Sequence, residues 1–508
     1  MRELLRFFWN STRGHRLAPW RSPYLRWRME TYSGLKMDKI GFVEIRQITL
    51  FFILFVATSV LAQTAPRVSV AAQASTTNKQ VTSLGDELRR PGNEPLHLLY
   101  THGIGATGPG DSQELRESIC KHVKKYVKQK CTTKAGEWQR REYADEDIFD
   151  IKKDPPSLAY MGKLIWGSQE EWHASAPFVD HYVIKLTSGK SILVDEINWW
   201  PLVFAVKCQH MMPNETNLAG KLSGKNDNYL SICGKLQPHT GDEAIKERFD
   251  SYDWLKEPEL DTLKHTPNRA VAINRWAKVN IMDWRFSDAL LGVGPLEGYL
   301  VEGIRQLLMK CIETGSKETA ALTSKSTPVF DPNATFIIVS HSLGSFLMFS
   351  ALHAEYHPHG ERFEGDDTRR TEAFDYLLGH LSQAYFFANQ IPLLEMAKLG
   401  AVKSKSFLDL EAWSTQRKLS GNRDSSDDSK PLGQIIAWSD PNDLLTWYLG
   451  DDFQSWQAKP ETRIVIVNNI VKNASTWNWL WLLESPEHAH DNYARNPKVI
   501  RSLLQPLE

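Results

Sequence analysis

One stretch, TFIIVSHSLGSFLMF from Thr335 to Phe349, constrains the fold more than any other part of the chain. Its first residues are apolar and predict a buried strand, and its last residues are apolar with the spacing of a helix. Between them lies only Ser-His-Ser-Leu-Gly. The stretch therefore predicts a strand that passes directly into a helix through one tight turn.

This turn has the pattern small-x-Ser-x-Gly, which is typical of a nucleophile elbow. Ser342 stands at its centre, and the small residues Ser340 and Gly344 leave room for strand and helix to approach each other. The usual motif has glycine in the first position, so Ser340 is a mild departure from it. A hydroxyl on such a turn lies beside the free N–H groups of a helix N-terminus, which suit a developing oxyanion. The alternative is that Ser342 is an ordinary helix N-cap.

Length and charge limit the classes of protein to consider. The 508 residues suffice for one large domain with insertions, or for two or three smaller domains. The formal net charge of −1 gives no indication of a nucleic-acid partner. The 18 tryptophans indicate either a large aromatic core or an apolar cleft.

An uncharged apolar run, Ile48–Ala62, precedes the predicted domain. Its length fits a signal peptide better than a membrane span. If translation starts at Met37, the run belongs to a secretory signal that is cleaved near Gln63. If it starts at Met1, the run is an uncleaved membrane anchor with a basic cytoplasmic flank. In both cases we expect the rest of the chain to be exported, either as a periplasmic or secreted protein or as one held at a membrane.

Five cysteines fit an exported protein. The simplest pairing predicts disulfides Cys120–Cys131 and Cys208–Cys233 and leaves Cys311 as a buried thiol, although spacing alone does not prove connectivity.

A metal site receives little support from the sequence. The segment HAEYHPH contains His353, His357 and His359, but no carboxylate of matching spacing accompanies them, so a surface helix end is preferred. We expect neither a metal nor another cofactor.

From residue 95 onward, short apolar runs alternate with helical patterns, which predicts an α/β domain with a mostly parallel sheet flanked by helices. We assign 1–62 to the N-terminal extension with its signal or anchor, 63–94 to a flexible linker, and 95–508 to this domain. Polar segments near 206–270 and 412–431 indicate inserted loops. The predicted strands are LHLLY, the hairpin HYVIKLTSGKSILVDEINWW, VNIMDW, TFIIV, SQAYFFANQ, GQIIAWS and TRIVIVNNI, and the predicted helices cover 112–130 and 296–314.

Four segments in this order resemble the α/β-hydrolase family of lipases and esterases. They are the loop YTHGIGATGPG, the elbow SHSLG, the segment SDPNDLL after a predicted strand, and AHDNYARNPKVI near the C-terminus. The resemblance spans residue 95 to the C-terminus and is specific for fold and catalytic triad but not for a substrate. It implies an α/β-hydrolase fold with inserted cap or loop segments.

The resemblance also implies the catalytic roles. Ser342 would be the nucleophile, with His490 preferred over His488 as its base. Asp443 is preferred as the acid because branched aliphatic residues follow it, whereas Asp440 suits the shaping of the local turn.

An oxyanion hole would be formed by backbone N–H groups of Leu343 and of Gly103 or Ile104. His102 and His341 belong to the same two motifs. The expected activity is hydrolysis of a small-molecule or lipid carboxylic ester. Thioester or amide cleavage, and a non-catalytic binding protein on the same scaffold, remain open.

Overall fold

Eight strands form a single, mostly parallel sheet in the order β2-β3-β4-β1-β5-β6-β7-β8. Strands β2, β3 and β4 pair antiparallel at one side, and β4, β1, β5, β6, β7 and β8 run parallel to one another. Because parallel strands place their carboxyl ends at the same edge, the residues that follow β1, β5, β6 and β7 are brought together. The strands are β1 (Leu96–Thr101), β2 (Arg140–Tyr143), β3 (Phe178–Lys185), β4 (Ser191–Asn198), β5 (Thr335–His341), β6 (Leu381–Phe387), β7 (Gly433–Ser439) and β8 (Ile464–Ile470).

The computed structural model describes residues 83–92, 96–104, 110–132, 140–144, 176–203, 286–294, 297–320, 330–331, 333–352, 367–395, 410–420, 431–449, 463–473 and 486–505. All of them belong to one of two compact units into which the chain divides, the unit made of Lys79–Thr262, Asp283–Ala474 and Pro486–Glu508. Among the helices of these ranges, none combines the length and the apolar character needed to cross a bilayer.

Ten helices and one 3₁₀ turn connect or flank the strands in the described ranges. They are α1 (Leu84–Arg89), α2 (Gln113–Tyr126), α3 (Ser287–Val293), α4 (Glu297–Ala320), α5 (Leu343–Ala351), α6 (Asp367–His380), α7 (Ile391–Glu395), α8 (Leu410–Leu419), α9 (Pro486–Asp491), the 3₁₀ turn Asn492–Arg495 and α10 (Pro497–Leu504).

The sheet carries a hydrophobic core on each face, because successive side chains of a strand point to opposite sides. In β1, Leu98 packs into one core and Leu99 into the other. Buried residues of α4, α5, α6 and α8 cover the first face, and those of α1, α2 and α10 cover the second. The result is an α/β protein with helices on both faces of the sheet, as the alternating pattern of the sequence predicted.

Most predicted elements are confirmed within a few residues. The helix predicted over 112–130 is α2, and the helix predicted over 296–314 is α4, which continues to Ala320. Strand β2, with the polar sequence RREY, was not predicted. The predicted strand VNIMDW and the polar segment 206–270 lie outside the described residues.

Two loop predictions are wrong in part. Residues 84–89 of the predicted linker form α1, whose Leu84 and Leu88 are buried in the core of the second face. Residues 410–419, at the start of the predicted loop 412–431, form α8. Trp413 of α8 is fully buried and donates a hydrogen bond from Nε1 to the carbonyl of Leu381, 2.9 Å away. Both segments are polar overall, so the sequence analysis gave no weight to the few apolar residues that anchor them in the core.

The cysteine predictions that concern described residues are confirmed. Cys120 and Cys131 form a disulfide with a Cα–Cα distance of 5.5 Å, and Cys311 is a buried free thiol. Cys208 and Cys233 lie outside the described residues, as do the predicted signal segment and the histidines of HAEYHPH.

Candidate active site

Ser342 occupies the turn between β5 and α5 with a backbone conformation that side chains rarely adopt. Its φ is 54° and its ψ is −127°. Its N–H donates a 2.8 Å hydrogen bond to the carbonyl of Phe387 at the end of β6, which helps to hold this strained turn. The serine is therefore held at the carboxyl edge of the sheet by β5, which leads into the turn, and by the hydrogen bond to β6.

The turn requires glycine at position 344 because β1 passes very close to it. A Cβ on Gly344 would lie 2.2 Å from the carbonyl oxygen of His102 and 3.0 Å from that of Thr101. Ser340, at the other small position of the motif, is fully buried in β5. The spacing of small residues in SHSLG is thus explained by the packing of α5 and β5 against the end of β1.

Gly103, the residue after His102, lies directly against the serine. A Cβ on Gly103 would be 2.7 Å from the Cβ of Ser342 and 2.7 Å from Nδ1 of His341. Leu343 is the first residue of α5, and the first N–H groups of a helix have no acceptor in a preceding turn. Gly103 and the start of α5 therefore both lie beside Ser342.

Ser342, His490 and Asp443 form one chain of hydrogen bonds. The Oγ of Ser342 is 2.9 Å from Nε2 of His490, and Nδ1 of His490 is 2.9 Å from Oδ2 and 3.0 Å from Oδ1 of Asp443. All three side chains are buried. Because a carboxylate only accepts, the ring proton on Nδ1 faces Asp443, and Nε2 is the nitrogen left to accept from the Ser342 hydroxyl.

The two candidate acids have different environments. Asp440 accepts hydrogen bonds from the backbone N–H groups of Asn442 and Asn473 and so shapes the turn after β7. Asp443, three residues later, is the carboxylate that contacts His490. The sequence analysis preferred Asp443 over Asp440 as the acid and His490 over His488 as the base. His488 is exposed, whereas His490 is buried.

The two other histidines of the motifs hold the backbone around the site. Nδ1–H of His102 donates to the carbonyl of Gly103 at 2.8 Å, and its ring stacks on Trp199 with centroids 4.7 Å apart. His341 donates from Nε2 to the backbone carbonyl of His490, 2.8 Å away. Burial lowers the pKa of His102 to about 3. Burial, followed by the proximity of His490, lowers the pKa of His341 to about 4. Both rings are therefore neutral near pH 7.

Gln390 is part of the site although the sequence analysis did not identify it. Its Nε2 is 2.7 Å from Oγ of Ser342. The only signal in the sequence is its position, two residues beyond the apolar run AYFFA. That position becomes informative only when β6 is known to pair with β5.

One group of potential metal ligands occurs here, within the part of the chain that the structure describes. Ligand atoms of His341, His490 and Asp491 lie within 4.8 Å of one another. Both ring nitrogens of His490 already face Asp443 and Ser342. A metal at this position would have to break one of those hydrogen bonds, so the donor set does not fit a resident ion well.

Comparisons with protein-family models, with curated proteins and with solved structures returned no significant match.

Proposed function

We propose that this protein is a serine hydrolase of the α/β-hydrolase type that cleaves a carboxylic ester through an acyl-enzyme intermediate. The observation that carries the proposal is the 2.9 Å contact between Oγ of Ser342 and Nε2 of His490, with Asp443 on the other nitrogen of the same ring. A serine hydroxyl is a weak nucleophile without such a base. The strained backbone of Ser342 adds support, because strain of this kind is concentrated at functional sites.

The chemistry follows from the positions of the three side chains. Ser342 Oγ attacks the substrate carbonyl while its proton passes to Nε2 of His490, and Asp443 stabilises the resulting imidazolium. The carbonyl oxygen becomes negative and is held by the N–H groups of Leu343 and of Gly103 or Ile104. His490 then gives its proton to the departing alcohol. A water molecule later releases the acid in the reverse sequence.

Exposed apolar side chains near the site favour an apolar ester as substrate. Leu444, Trp447 and Tyr448 lie one, four and five positions after Asp443 and are exposed by 74%, 47% and 62%. Contiguous exposed apolar patches on a protein surface mark interaction or ligand-binding sites. We therefore propose a small-molecule or lipid ester with an apolar acyl or alcohol group.

Hydrolysis of p-nitrophenyl esters of graded acyl length tests this proposal. We expect turnover by the wild type and a loss of about 10⁴-fold or more in Ser342→Ala. The matched control is Ser350→Ala, which makes the same change at a buried position later in α5 and should keep full activity. Normal turnover by Ser342→Ala, or none by the folded wild type with any ester or thioester, would contradict the proposal.

We also propose that the enzyme acts after export, on the strength of the apolar run Ile48–Ala62. Amino-terminal sequencing of the exported protein should begin near Gln63 if the run is a cleaved signal. An intracellular protein that retains residues before 48 would refute export.

A further inference from the structure

Gln390 approaches the reacting oxygen from the side opposite the proposed oxyanion hole. Strand β5, which leads to Ser342, lies between β1 and β6. Gly103 follows β1 and Gln390 follows β6, so the two residues lie on either side of the serine. Gln390 is 2% exposed, and its Nε2 is 2.7 Å from Oγ of Ser342. The mechanism proposed above gives it no part.

The hydrogen bonds of the site determine which end of the amide faces the serine. The hydroxyl proton of Ser342 points to Nε2 of His490, because Asp443 holds the proton on Nδ1. Only a lone pair of Oγ is then left for Gln390. The amide NH₂ group, and not the amide oxygen, is the partner that this lone pair can accept from.

The backbone around Gln390 is held firmly, so this contact is built into the fold. The side chain of Asn389 donates to the carbonyl of Trp447 and accepts from the N–H of Ile391. The carbonyl of Gln390 accepts from Leu394 in the first turn of α7. Gln390 is thus clamped between the segment after β7 and the start of α7.

We infer that Gln390 is a catalytic residue that assists the departure of Ser342 Oγ when the acyl-enzyme is hydrolysed. In this step water adds to the acyl carbon and passes a proton to His490. The bond between the acyl carbon and Oγ then breaks, its electron pair stays on Oγ, and His490 returns the proton to Oγ. The products are the free serine and a carboxylic acid, so atoms and charge balance without another reactant.

The physical reason is the change in basicity of Oγ during the cycle. In the acyl-enzyme, Oγ is an ester oxygen whose lone pair is delocalised into the carbonyl, and it accepts hydrogen bonds weakly. As the bond to carbon breaks, negative charge builds on Oγ, and hydrogen bonds to charged groups are stronger than those between neutral groups. The N–H of Gln390 therefore stabilises the transition state for departure more than it stabilises the acyl-enzyme.

The same contact assists the first attack less, because it already stabilises the free hydroxyl from which that step starts. Loss of the amide should slow deacylation by about 10- to 100-fold, the effect of one hydrogen bond to a developing charge. Acylation should slow much less than deacylation. A residue that only supported the structure would slow both steps together.

The inference rests on the proposed function, and stopped-flow hydrolysis of p-nitrophenyl acetate separates the two. The variants are Gln390→Leu and Gln390→Met, the second with an unbranched side chain of similar length, so that poor packing in one does not decide the result. Gln306→Leu removes a buried amide from α4 and is the matched control. Intact-protein mass spectrometry during the steady state reports the acylated fraction of Ser342.

In a folded Gln390 variant we expect a full burst of one nitrophenolate per enzyme, a steady state about 10- to 100-fold slower, and accumulated acyl-enzyme. Gln306→Leu should behave as the wild type. If burst and steady state fall together, or if deacylation keeps its normal rate, the inference is overturned while the proposed function stands. If the folded wild type is never acylated on Ser342, the proposed function itself fails.

Discussion

The substitution Gly344→Ala tests how closely β1 and the serine turn depend on each other. In most helices this change is favourable by about 0.5–1 kcal/mol, because alanine loses less backbone freedom on folding than glycine does. Here the new methyl group would lie 2.2 Å from the carbonyl oxygen of His102, whereas ordinary contacts begin at 3.4 Å. Since the opposing atom belongs to the backbone, no side-chain rotation relieves the overlap.

Strand β1 and helix α5 would have to separate by about 1 Å, and such overpacking in a close-packed core costs about 1–3 kcal/mol or more. The opposing gain in helix propensity is smaller. We therefore expect the free energy of unfolding to fall by about 1–2 kcal/mol. Because the same movement carries Gly103 away from Ser342, we also expect turnover to fall about 100-fold.

Guanidinium titration followed by circular dichroism measures the first effect, and ester hydrolysis measures the second. Gly379→Ala is a graded control, since its methyl group would lie 3.2 Å from the carbonyl oxygen of Gln416. That position precedes β6, at the edge of the sheet opposite Ser342, so activity should be retained. A Gly344→Ala protein as stable and active as the wild type would refute the reasoning.

Three further outcomes are expected. Asp443→Asn should lose about 10⁴-fold in turnover, whereas Asp440→Asn should mainly lose stability. If ester kinetics and denaturation showed the larger loss of turnover in Asp440→Asn, Asp440 and not Asp443 would be the acid of the triad. Replacing Cys120 and Cys131 together by serine should lower the free energy of unfolding by about 2–4 kcal/mol, with turnover kept, and unchanged denaturation curves would contradict this. The pKa of His102, lowered from 6.5 to about 3, means that below pH 6.5 the unfolded chain binds a proton that the folded protein does not. Stability should therefore fall as pH drops from 6.5 towards 3, and His102→Phe should flatten this dependence in urea titrations; an equal slope in both proteins would argue against it.

The sequence predicted the parts of the fold that its own local pattern determines. LHLLY, TFIIV and GQIIAWS are apolar runs bounded by turn residues, and each is a strand of the parallel sheet. Strand β2 has no such pattern, because it lies at the edge of the sheet. It is held by pairing with β3 and by the two hydrogen bonds of 2.7 and 2.8 Å from Arg141 to Asp180. Its stability comes from a distant part of the chain that local reasoning does not reach.

The candidate site also contains residues that local sequence patterns reveal and one that they do not. Ser342 was predicted as the candidate nucleophile because strand, turn and helix are continuous in the sequence. Asp443 and His490 were predicted as candidate acid and base because their order along the chain resembles that of the α/β-hydrolase family. The pairing of β6 with β5 places Gln390 beside Ser342, and no local pattern encodes that pairing. The place of β1 between β4 and β5 could not be predicted from the sequence either, since it depends on crossovers between distant segments.

The most direct test of the central claim is covalent labelling with a fluorophosphonate, followed by peptide mapping. The proposed mechanism predicts one label per protein, located on Ser342, with no label in Ser342→Ala and much slower labelling in His490→Ala. Ser350→Ala should be labelled at the wild-type rate. A folded wild-type protein that takes no label, or a label that maps to another residue and persists in Ser342→Ala, would contradict the assignment of Ser342 as the nucleophile.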